Sequence, residues 1–133
     1  MNPFYYSVAA RAKHRCEYCR APEAIFNFPF EIEHVLPLAS GGTTVEMNLA
    51  LACRSCNLFK SDHLSFVDPS TDQISRLYDP RIDNQNEHFE FNGMSGMVKG
   101  VTPMGRATVN CLTMNSENQI LARRQWYRPG LFP

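Results

Sequence analysis

Two Cys-x2-Cys pairs constrain this chain more than any other feature: Cys16-Glu17-Tyr18-Cys19 and Cys53-Arg54-Ser55-Cys56, with 33 residues between them. Each pair can chelate one ion from a tight turn, and together they supply the four thiolates of a tetrahedral structural zinc. Two disulfides or four buried thiols are the other readings. The stretch MNPFYYSVAARAKHRC has no basic-then-apolar signal layout, so a reducing, cytoplasmic setting is expected. Cysteines there more often hold metal than pair with each other. Four thiolates leave no open coordination position, so this zinc is expected to be structural. It would close residues 20–52 into a loop anchored at both ends. Cys111 lies outside the pattern and is expected to be a core thiol.

At 133 residues the chain is read as a single domain, 1–133. A content of 44% apolar and 20% charged residues excludes a disordered chain, and no apolar run reaches the roughly 20 residues of a membrane span. The formal net charge is zero, unusual for a non-specific DNA binder. Bases gather in 1–20 and 91–133, and acids in 21–50 and 61–90. That pattern suits either a one-sided polyanion site or a solvated mixed surface.

The coarse reading begins with a helix over 4–15. An extended segment follows over 26–36, with Phe28, Phe30 and Ile32 alternating on one face. Pro37, Gly41 and Gly42 punctuate a loop. "LALA" at 49–52 reads as a short strand. "CRSCNLFKSDHLSF" reads as a knuckle turning into a helix that ends before Asp68-Pro69. Residues 72–79 are irregular or a short strand, and "EHFEFNG" and "GMVKGVT" suggest a hairpin. Met104, Ala107, Cys111 and Met114 form a helical stripe. Ser116 and Gln119 suggest a capping box for a last helix, 117–127.

The loop between the cysteine pairs contains Glu33 and His34, side by side in "EIEHVLPLASGG". Asn48 follows, then Asn57 directly behind Cys56, in the spacing His-x13-Asn-x8-Asn. Lys60 lies three residues past Asn57 on the same helical face. Cys16 and Cys19 with "EHVLPLASGG", "NLALAC" and "CRSCNLFK" together resemble the HNH endonucleases in their zinc-stapled form. The resemblance is specific over residues 16–62.

The resemblance implies an α+β fold: a ββα-metal (His-Me finger) core over 16–66 stapled by zinc, an N-terminal helix, and a small α/β C-terminal extension over 67–133. It implies His34 as general base, Glu33 and Asn57 as ligands of a catalytic Mg²⁺ or Mn²⁺, and Asn48 as the brace of the loop that orients the histidine. Two positions depart from the common pattern, Glu33 where Asp is frequent and Asn57 where the last histidine would stand. The chemistry fits these roles. Attack on a phosphodiester needs a base to make the nucleophile and a cation to neutralise the developing charge. Histidine, titrating at about 6.5, can take a proton from water near neutrality. Carboxylate and amide oxygens suit Mg²⁺ or Mn²⁺.

Lys60 and Arg54 are expected to hold phosphates, and Arg123, Arg124 and Arg128 either add a DNA-backbone patch or form a solvated helix face. His14, His63 and His88 are read as surface or packing residues. The expected partner is double-stranded DNA, with no membrane and an open choice between monomer and homodimer. Adjacent residues of a regular strand point to opposite faces. Glu33 and His34 can therefore share one site only if the strand ends or bulges there. The alternative function is a zinc-stapled nucleic-acid-binding module with an inactive HNH site.

Overall fold

The computed structural model describes all residues 1–133. It is a small mixed α/β structure built from three two-stranded antiparallel pairs and five helices. Helix α1 spans Tyr5–Arg11, shorter than the 4–15 expectation. It stops because Lys13 and His14 both take positive φ, turning the chain into the first cysteine knuckle.

Strand β1 (Glu31–His34) pairs with β2 (Leu49–Ala52), Glu33 opposite Ala50 and His34 opposite Leu49. The extended segment is thus only four residues long. Phe28 is exposed and Phe30 buried, so the expected Phe28–Phe30–Ile32 face does not form. "LALA" is a strand with all four residues buried. Its outer edge is satisfied by the first knuckle, as a buried edge requires. Glu17 N–H donates to the Leu51 carbonyl at 2.9 Å, and Leu51 N–H donates to the Glu17 carboxylate at 2.9 Å. Helix α1 packs on β2, and Arg11 donates to the Glu46 and Leu49 carbonyls.

Helix α2 covers only Arg54–Lys60 and packs on β1 and β2. The expected continuation to residue 66 is wrong. Ser61 takes φ +47 and ends the helix, and the chain then forms β3 (Ser65–Asp68) against β4 (Gln73–Arg76). Asp68 organises the turn between these strands through Ser70 N–H and the Thr71 hydroxyl. It also accepts both arms of the Arg106 fork at 3.0 Å each.

Helix α3 (Gln85–His88) leads into the β5 (Phe89–Phe91) and β6 (Val98–Gly100) hairpin that "EHFEFNG" and "GMVKGVT" suggested. Helix α4 (Pro103–Cys111), capped by the Thr102 hydroxyl, packs on β3, β4 and β6. Ala107, Cys111 and Met114 are buried, as the helical stripe required. Helix α5 runs Glu117–Tyr127, with the Ser116 hydroxyl accepting from Gln119 N–H. One cluster of buried apolar side chains runs from Tyr5 and Val8 through the cysteines and β2 to Trp126 and Phe132. No helix is long and apolar enough to cross a membrane.

The Arg106 fork holds the Asp68 carboxyl down to about 2. In acid the unfolded chain therefore binds a proton at Asp68 that the folded chain refuses, so stability rises with pH across this window. This contribution is complete above about pH 4, the ordinary aspartate value, and is lost as the pH falls toward about 2. Acid titration of wild type and Asp68→Asn by circular dichroism should show a shallower acid limb in the variant. Parallel limbs would refute the coupling.

Candidate active site and cysteine cluster

The four cysteines converge as the spacing required. All are buried, and their sulfurs lie within 4.8 Å of one another, Cys19 Sγ and Cys53 Sγ being 3.7 Å apart. Cys53 is also the N-cap of α2, its sulfur accepting from Cys56 N–H at 3.5 Å. Without a cation the thiols share protons unequally. Hydrogen bonds from Cys16, Cys19 and Cys56 hold the Cys53 thiol far below its ordinary range. Cys19 and Cys56 are pushed well up, first by their hydrogen bonds with Cys16. Such a cluster carries few thiolates alone and four when a divalent ion displaces the protons, so the donor set fits a structural metal such as zinc.

His34 ends β1, half-buried, with its Nε2 2.9 Å from the Thr44 hydroxyl. Its other ring nitrogen has no partner. Asn48 braces the turn that brings Thr44 there. It accepts from Leu36 N–H at 2.8 Å and donates to the Leu36 and Thr43 carbonyls at 3.0 and 2.9 Å. The Gly-Gly pair permits this turn. Gly41 takes φ +92, and a Cβ on Gly42 would collide with the Leu36 carbonyl. Thr44 was missed in the sequence reading. Its only sequence signal was a hydroxyl residue just past the glycines.

Glu33 departs from expectation. The strand keeps regular register through both residues, and Glu33 points inward while His34 does not. The Glu33 carboxylate accepts from the Tyr18 hydroxyl on one oxygen and from Lys60 Nζ at 3.1 Å on the other. Burial raises its pKa, and the Lys60 ammonium and Tyr18 phenol oppose that rise. Tyr18 is itself pushed well up by burial, which keeps its proton available for this bond.

Lys60 is 2% exposed and also donates to the His34 and Val35 carbonyls at 3.4 and 3.0 Å. The expectation that it meets a phosphate is corrected here. Its ammonium is a buried clamp between α2 and the end of β1. Removing it strands the buried Glu33 carboxylate. Lys60→Met should cost about 3–5 kcal/mol of stability, the usual penalty for breaking a buried pair from one side. That loss should shrink in acid, where Glu33 can be protonated. Urea melts at two pH values test both points, and a variant as stable as wild type would refute the clamp.

Asn57 sits on α2, its side chain making no hydrogen bond, in a cleft with Tyr5, Phe28, Phe30, Glu31 and Ile32. Neither Glu33 nor His34 lines that cleft. Arg54 is exposed and paired with Glu31 at 2.9 Å. His14 pairs with Glu23 at 2.7 Å rather than joining the cysteines, His63 packs edge-on to Phe66, and His88 meets the Thr102 hydroxyl at 2.7 Å. Arg124 and Arg128 are exposed, but Arg123 is fully buried and cannot contribute to a surface patch.

A knuckle pair of clustered thiols thus flanks an antiparallel strand pair, a helix, and a strand-end histidine on an asparagine-braced turn. Residues 16–63 match the family model described as HNH endonuclease, and the chain carries an HNH endonuclease domain over that segment. None of the curated proteins or solved structures compared with the chain matches it.

Proposed function

We propose that this chain is a metal-dependent endonuclease that hydrolyses DNA phosphodiester bonds, with a ββα-metal core stapled by zinc at Cys16, Cys19, Cys53 and Cys56. The HNH match supports the class. The observation that carries the mechanism is His34: one ring nitrogen is held by Thr44 and the other is unpaired. With Nε2 donating to Thr44, Nδ1 keeps a lone pair for a water proton. That water attacks phosphorus, His34 takes its proton, the bond to the 3′ oxygen breaks, and that oxygen is protonated by solvent water. The products are a 5′-phosphate and a 3′-hydroxyl. Asn48 acts as a brace, fixing the turn that fixes Thr44. Arg54 can trade its exposed Glu31 partner for a phosphate, because such surface pairs are worth little.

A divalent ion such as Mg²⁺ or Mn²⁺ would supply charge neutralisation at the phosphate. Asn57 lies in a cleft that His34 does not line, so it does not fit as a ligand for an ion beside that base. Glu33 does not fit as it stands, because its oxygens serve Tyr18 and Lys60, and an ammonium at 3.1 Å repels a second cation. No catalytic step is assigned to it. This same observation favours a second reading, a zinc-stapled DNA-binding module with an inactive site.

Supercoiled plasmid incubated with EDTA, Mg²⁺ or Mn²⁺ separates the two. Conversion to nicked or linear forms only with a divalent ion supports the nuclease. Retention without cutting at low salt, where phosphate contacts are strongest, supports the binding module. A chain that neither cuts the plasmid nor retains it at low salt would sink both readings.

A further inference from the structure

A cleft of about 400 Å³ opens beside the first cysteine knuckle. Arg11, Lys13, Arg15 and Arg20 line it, with Glu17 as its one acidic side chain. None of His34, Asn48 and Asn57 reaches it. The local fold collects these cations from the basic start of the chain. Arg11 ends α1, and positive φ at Lys13 and His14 turns the chain toward the knuckle. Arg15 and Arg20 stand on either side of that knuckle. Arg20 N–H donates to the Cys16 carbonyl at 2.9 Å, and Arg15 Nη1 donates to the Arg20 carbonyl at 3.0 Å.

None of the four cations is in an ion pair, although six ion pairs form elsewhere. Glu17 is already taken, by Arg81 and by Leu51 N–H. Neutral groups hold the arginines instead. Arg11 donates to the Glu46 and Leu49 carbonyls. Arg20 donates to the Gln85 and Asn86 side chains at 2.8 and 2.6 Å and lies 4.0 Å over the Phe91 ring. Such contacts fix a guanidinium plane without neutralising it. Nη2 of Arg15 and Nη1 of Arg20 make no hydrogen bond, nor does the Lys13 ammonium. The cleft therefore combines fixed positive charge, free donors and no counter-charge of its own. Walls of one sign concentrate the field inside a cleft, and guanidinium forks match the oxygens of phosphate.

We propose that this cleft is a phosphate-binding site, separate from the candidate active site. It takes a run of phosphate groups, either the successive phosphates of a DNA strand or a free polyphosphate chain. Arg15 and Arg20 grip the oxygens through their free nitrogens, and Lys13 and Arg11 add charge. The proposal does not rest on the nuclease reading, and no cleavage enters its test.

The whole chain is titrated at low salt, where phosphate contacts are strongest, with no divalent ion added. Inorganic tripolyphosphate is followed by calorimetry and a dye-labelled DNA oligonucleotide by fluorescence anisotropy. An oligonucleotide displaced by tripolyphosphate marks strand phosphates as the ligand, and binding of tripolyphosphate alone marks a free chain. For whichever probe binds, Arg15→Gln combined with Arg20→Gln should weaken binding about 10–100-fold, the loss of two charge-assisted contacts. Arg124→Gln combined with Arg128→Gln removes the same charge from exposed positions at the end of α5 and should match wild type. A wild type that binds neither probe overturns the proposal. So does an Arg15/Arg20 double variant that binds no more weakly than the Arg124/Arg128 one, since the attraction is then diffuse. If the Arg15/Arg20 variant does not fold, Lys13→Glu decides, at an exposed side chain without hydrogen bonds. Weaker binding supports the site, and wild-type affinity overturns it.

Discussion

Cys53→Ser is expected to unfold the core and abolish zinc retention. Structural zinc contributes about 10–16 kcal/mol in small thiolate sites, as much as the roughly 5–15 kcal/mol that separates a folded domain from its unfolded chain. Cys53 is a severe site for two reasons. It is a ligand candidate, and its sulfur caps α2. The knuckles also carry neighbours that depend on their position. Glu17 completes the edge of β2, and Tyr18 reaches Glu33. Cys111→Ser, buried but outside the cluster, should leave zinc content unchanged. Circular dichroism with metal analysis decides the matter. A folded, metal-free Cys53→Ser protein would refute the staple.

The second large effect is expected at His34. Truncation to alanine should reduce plasmid cleavage by about 10²–10⁴-fold, the usual contribution of a positioned base, with zinc content and fold intact. The separation of activity from stability follows from the site. The ring is half-buried, its only hydrogen bond is to Thr44, and the β1–β2 pairing is made by backbone. Thr44→Val should lower cleavage less, since it releases the ring without removing it. A His34→Ala protein that cuts at the wild-type rate would remove the histidine from the mechanism.

The Glu33–Lys60 pair gives these two results a common frame. Lys60 ties α2 to the backbone on both sides of the strand end that presents His34. The buried pair therefore stands between the cysteine knuckles, through Tyr18, and the candidate base. It is a physical link from the cysteine cluster to the candidate base, made by packed and hydrogen-bonded groups rather than by proximity in sequence.

Local chemistry was legible wherever the residue types leave few options. Two Cys-x2-Cys pairs can converge on one ion, "LALA" between a loop and a cysteine knuckle reads as a short apolar strand, and Ser116 starts a helix because its hydroxyl satisfies a free N–H of the first turn. Asn48 as the brace of a loop opened by two glycines was readable for the same reason. The end of α2 was not. "CNLFKSDHLSF" keeps a helix-compatible pattern past Lys60, and the stop is a serine at positive φ, after which the chain enters β3. Nor does a sequence announce which long polar side chains turn inward.

Lys60 and Arg123 have the look of surface cations, and Glu33 that of an available ligand. Their burial depends on which face of α2, α5 and β1 meets the rest of the molecule, and on where a counter-charge waits. The thiol cluster, the histidine at a strand end and the asparagine that steadies it were legible in the residue order, because chelation and turn geometry demand those residues at those spacings. Packing turned Glu33 toward Lys60 instead of His34's side, and buried Arg123 against the Gly96 and Met114 carbonyls. A strand's alternation and a helix's packed face are settled by what lies across from them.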